Sequence, residues 1–89
     1  MGVTLDVTGS QREVVVDGDL ASPATFVQLR GVLSALAYTD TTPVVVDFTT
    51  TTGTSTAVTR LLNRTALVMA HRGVQFQILE DSNRALMAL

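Results

Sequence analysis

Val3, Leu5 and Val7 alternate with Thr4, Asp6 and Thr8, the period of two that marks a strand with one buried face. After the short turn Gly9-Ser10-Gln11 a second strand runs from Arg12 to Asp17, with three valines at its centre. Two strands joined by so few residues form an antiparallel hairpin. Gly18-Asp19 breaks the second strand. Ser22-Pro23 then supplies a helix N-cap and a proline at the first helical position, where its missing N–H costs nothing. Phe26, Leu29, Val32, Leu33 and Leu36 recur at helical spacing, which predicts an amphipathic helix from about Pro23 to Ala37. The polar run Thr39-Asp40-Thr41-Thr42-Pro43 ends it.

Val44-Val45-Val46-Asp47-Phe48 is almost continuously apolar and β-branched, as a strand covered on both faces is. A threonine-rich loop follows, then a second helix from about Ser55 to Arg72 with Val58, Leu61, Leu62, Thr65, Val68 and Met69 as its inner stripe. Arg72-Gly73 closes that helix with a cation at the negative end of the dipole and a glycine just beyond. Val74, Phe76 and Ile78 alternate with Gln75 and Gln77 in a last strand, and Asp81-Ser82-Asn83 caps a short helix over Arg84 to Leu89. The order β-β-α-β-α-β-α predicts an α/β fold: a four-stranded mixed sheet, built from the N-terminal hairpin plus two β-α-β crossovers, with helices mainly on one face. Thr4, Asp6, Glu13, Gln75 and Gln77 then share the other, wetter face. Leu29, Val46, Leu61, Leu62 and Phe76 are the expected core.

The 89 residues read as one domain, 1–89, and 46% apolar against 16% charged residues excludes intrinsic disorder. No apolar run reaches the roughly 18 residues of a membrane span, and the first residues show no signal-peptide pattern, so a cytoplasmic location is expected. Cysteine is absent and His71 is the single histidine, which leaves no disulfide, thiolate metal site or multi-histidine centre, and neither metal nor cofactor is expected. Lysine is absent too; the six arginines are scattered and outnumbered by eight acids, which speaks against nucleic acid as a partner.

Ligand crevices of open α/β sheets lie outside the carboxyl ends of the parallel strands. That edge carries Gly18-Asp19-Leu20, the segment from Asp47 to Thr56 and the Glu80-Asp81-Ser82 turn. The middle segment holds seven hydroxyl residues between Thr49 and Thr56 and ends at a helix N-terminus, where a dipole favours a phosphate. The same hydroxyls also serve as ordinary N-caps. A phosphate-cradling P-loop lacks its Gly-Lys-Ser/Thr signature here. His71 stands a helix length from Ser55, too far for a triad, and Asp47 is either a cap for the loop or a site residue. No acid/base pair or activated nucleophile assembles from this inventory, so an enzyme is not expected.

The order VVVDGDL, a helix, PVVVDF, TSTAVTRLL and HRGVQFQIL resembles a STAS domain, the fold of bacterial anti-sigma factor antagonists, from about Val14 to Leu89. Thr54-Ser55-Thr56-Ala57-Val58 falls on that family's "DSSGL" at the opening of the second helix, with Thr54 in place of the aspartate and Ala57 in place of the glycine. The resemblance implies a non-enzymatic regulatory domain that binds a partner-switching serine kinase (an anti-sigma factor) and is released by phosphorylation of Ser55, with Thr54 and Thr56 as rival acceptors. It implies a binding surface of Asp19, Asp47, Thr52, Gly53, Thr54, Ser55 and Thr56. The alternative it leaves open is an accessory STAS subunit of an ABC-type lipid transporter, docked on the ATPase without modification. An open sheet face and exposed strand edges also leave room for a homodimer.

Overall fold

The opening hairpin sets the plane of the sheet. In a computed structural model that describes residues 2–7, 9–39 and 41–80, β1 (Gly2–Asp6) pairs antiparallel with β2 (Arg12–Asp19), Val3 opposite Val16 and Leu5 opposite Val14. β2 pairs in parallel with β3 (Val44–Thr52), and β3 in parallel with β4 (Phe76–Leu79), so the order across the four-stranded sheet is β1-β2-β3-β4. Helices α1 (Pro23–Thr39) and α2 (Thr56–His71) make the two crossovers and pack against each other. Crossovers that step the same way with the same hand put both helices on one face. The short helix expected over 84–89 and its cap lie outside the described residues.

The core forms where alternation and helical periodicity meet. Val14 and Val16 of β2 and Val44, Val46 and Phe48 of β3 lie under Leu29, Leu33 and Leu36 of α1 and Val58, Leu62 and Met69 of α2. Each such side chain contributes about 1.5–3 kcal/mol when removed from water. Leu61 and Phe76 are only half-buried against this cluster. Leu61 stands on the side of α2 that faces the furrow between the helices, and Phe76 lies on β4, which among the described residues has a strand neighbour on one side only. On the opposite face Thr4, Asp6, Gln75 and Gln77 are exposed, as the alternation requires. Val45 shares that face yet is 6% exposed, in register between Glu13 and Gln77.

Three element ends differ from the local pattern, each for a tertiary reason. β2 continues through Gly18 to Asp19, because a glycine at φ +100° stays in the ladder opposite Thr51. α1 runs on to Thr39, and the Arg72 guanidinium reaches across from α2 to donate to the Ala37 carbonyl near its end. β3 runs through the threonines to Thr52, where the local pattern predicts a loop. The end of α2 follows the sequence: Gly73 at φ +70° donates to Ala70 O at 3.1 Å and Val74 N donates to Met69 O at 2.9 Å, a Schellman cap with Val74 and Met69 both buried. Among the described residues no helix is long and apolar enough to cross a membrane.

Candidate functional site at the carboxyl edge of the sheet

Four consecutive threonines are poor loop formers, since a β-branched side chain suits a pleated strand. The run Thr49–Thr52 accordingly extends β3 alongside β2, but with one extra residue. Val15 pairs with Asp47 and Asp17 with Thr50, so two residues of β3 stand opposite the single Val16. Asp47 holds this bulge: its Oδ1 accepts the Thr49 backbone N–H at 2.8 Å and the Thr49 hydroxyl at 2.6 Å. Beyond it, the Thr50 hydroxyl donates to Val16 O at 3.1 Å, and the buried Thr51 hydroxyl donates to Phe48 O at 2.7 Å. The bulge shifts the alternation by one, so Phe48 and Thr51 both face inward although three positions apart.

The loop proper is thereby reduced to Gly53, Thr54 and Ser55. Thr52 pairs with Asp19, and its carbonyl accepts the Leu20 N–H at 3.0 Å, which carries the ladder to the last residue. Gly53 then turns at φ +72°, and a Cβ at this position would sit 2.9 Å from Asp19 Oδ1. The same Oδ1 accepts the Ala21 N–H at 2.9 Å and the Asp19 carbonyl accepts the Ser22 N–H at 3.1 Å, so Asp19 closes the neighbouring turn into α1. Ser55, extended at φ −149°, ψ 123°, is the N-cap of α2: its Oγ accepts the Val58 N–H at 3.2 Å and its carbonyl accepts from Thr59 N and from the Thr59 hydroxyl.

The structure thus gathers Asp19, Thr52, Gly53, Thr54, Ser55 and Thr56 at one edge and leaves Asp47 further up β3, its carboxylate turned to Thr49 rather than to the loop. Ser55 is half-buried, while Thr54 and Thr56 on either side are exposed. His71 is exposed at the far end of α2. Glu80 lies just beyond β4, and its neighbours Asp81 and Ser82 fall outside the described residues.

The arginines correct the sequence reading. Arg30 of α1 and Arg60 and Arg64 of α2, scattered along the chain, line one furrow between the two helices. The four-residue spacing of Arg60 and Arg64 was visible in the sequence; that Arg30 faces them depends on how α1 packs on α2.

The chain matches no protein-family model and no curated protein.

Proposed function

We propose that the chain is a STAS-like, non-enzymatic regulatory domain that acts by binding a partner-switching serine kinase of the anti-sigma factor type, and that Ser55 is the residue through which binding is switched. The single observation that carries this reading is the position of Ser55: N-cap of α2, at the carboxyl edge of three parallel strands, with Asp19 and Gly53 beside it. The hairpin followed by two crossovers supports it, being the architecture that the sequence resemblance implies. A phosphate on Ser55 adds a charge of about −1.5 to −2 and three acceptor oxygens. At the first turn of a helix those oxygens meet free N–H groups and the positive end of the dipole, so the fold tolerates the group. A partner surface seated on Thr54, Ser55 and Thr56 does not. The switch is local electrostatics, with no unfolding.

The half-burial of Ser55 and its use as a cap favour a second reading, in which the same edge docks permanently on a transporter ATPase and is never modified. One experiment separates the two. The chain is incubated with a candidate kinase partner and ATP, and the segment 54–56 is mapped by mass spectrometry alongside a pull-down. One phosphate on Ser55 with loss of binding is the switch; tight binding with an unmodified loop removes it and leaves the docking module.

A further inference from the structure

The furrow between α1 and α2 has a volume of about 560 Å³ and two banks of different origin. From α1, Phe26, Arg30, Leu33 and Ala37 follow one another at steps of four, three and four, and from α2, Ala57, Leu61, Arg64 and Val68 do the same. Each set is one continuous stripe, so the furrow runs roughly 17 Å along both helices. Its floor is mostly apolar, with the hydroxyls of Ser34 and Thr65 among it, and its rims carry Arg30 on one side and Arg60 and Arg64 on the other, with no acidic side chain in the lining among the described residues. All three arginines are exposed, in a chain whose formal net charge is −2. The Arg30 guanidinium carbon lies 5.8 Å from the centroid of the Phe26 ring, which leaves the guanidinium edge open to an anion. None of the residues around the Ser55 hydroxyl that form the turn (Asp19, Thr52, Gly53) belongs to this lining.

We infer that the furrow is a docking site for an acidic amphipathic helix of another protein. A helix laid between two helices buries an apolar stripe on the floor and presents its flanking positions to both rims. Carboxylates at those flanking positions meet arginines on both sides, and guanidinium groups bind carboxylates through two parallel hydrogen bonds. The distribution of charge selects this occupant: a lipid anion concentrates its charge in one headgroup, whereas here the cations stand on opposite banks and a turn apart. An extended strand is disfavoured as well, because the walls of the furrow are helices with no sheet edge to pair. The inference does not depend on modification of Ser55.

The probe is a helix-favouring peptide with leucines at i, i+3, i+4 and i+7 and glutamates on both flanks, titrated into the isotopically labelled full chain and followed by backbone amide shifts. The expected result is saturable binding with shifts confined to 26–38 and 57–68, weakening as salt rises. Arg30→Glu/Arg60→Glu/Arg64→Glu is expected to lower affinity by at least about tenfold, since three exposed pairs are lost and reversed. A circular dichroism melt checks that the variant is folded, and Arg60→Gln/Arg64→Gln is the milder variant if it is not. Three outcomes overturn the inference: equal binding of a peptide with lysines for glutamates, shifts centred on 52–56, or binding of the chain to anionic phospholipid vesicles but to neither peptide.

Discussion

The turn from β2 into α1 and the turn from β3 into α2 lie side by side at one edge of the sheet and are closed by different groups. In the first, the Asp19 carboxylate accepts the Ala21 N–H, the Ser22 N–H returns to the Asp19 carbonyl, and Pro23 opens the helix. In the second, Gly53 reverses the chain and the Ser55 hydroxyl accepts the Val58 N–H. The first turn is held by one carboxylate oxygen and one main-chain carbonyl of the same residue, each accepting a single main-chain N–H. The second is held by a hydroxyl oxygen, with a glycine making the reversal before it. The same position in two successive βα units is therefore closed by a carboxylate in one and by a hydroxyl in the other, and the residues of the two turns meet where Gly53 passes Asp19.

Substitutions test this contrast directly. The largest effect is expected under the second turn, where Leu62→Ala empties the centre of α2 and is expected to destabilise by about 2–5 kcal/mol, read as the denaturant midpoint. Leu61→Ala, one position earlier and half-buried at the furrow, is expected to lose only about 1–2 kcal/mol. Equal losses at the two positions would show that the furrow is closed in solution.

The contact between the turns is tested by Gly53→Ala. A side chain at φ +72° and 2.9 Å from Asp19 Oδ1 is expected to cost about 1–3 kcal/mol. Combined with Asp19→Ala the loss is expected to be less than additive, because the steric part disappears and the backbone part stays. Full additivity in the double-mutant cycle would mean that the two turns do not touch.

Asp47→Ala removes both bonds to Thr49 and is expected to destabilise by about 1–2 kcal/mol, with Asp47→Asn recovering most of it through the remaining oxygen. Equal losses for the two variants would assign the effect to charge instead of to the bulge. At Ser55 the contrast is sharpest and the energies are smallest. Ser55→Ala is expected to cost about 1 kcal/mol through the lost cap. Ser55→Asp keeps an acceptor at a helix N-terminus and is expected to leave Tm within a few degrees while weakening partner binding. A Ser55→Asp variant that melts far below Ser55→Ala would show that this cap does not accept negative charge.

Much of this architecture is written locally. The alternation around Val14 and Val16 sets their inward face, the spacing from Phe26 to Leu36 sets the buried side of α1, and Ser55 and Gly73 mark the two ends of α2. Each of these depends on a residue and neighbours within a turn or a pleat, so the order of the described elements, the face each buries and the cap at Ser55 can be read along the chain alone. The remaining features are made by segments far apart in the chain and arise only when these pack together. Thr49–Thr52 are strand because β2 is there to pair with them, and Asp47 serves a bulge because Val16 faces two residues of β3. Gly53 meets Asp19 across 34 positions of sequence, and Arg30 lines the same furrow as Arg60 and Arg64 because the two crossovers pack α1 on α2. Periodicity tells which way a side chain points from its own element; it holds no information about what the facing element brings to the same place.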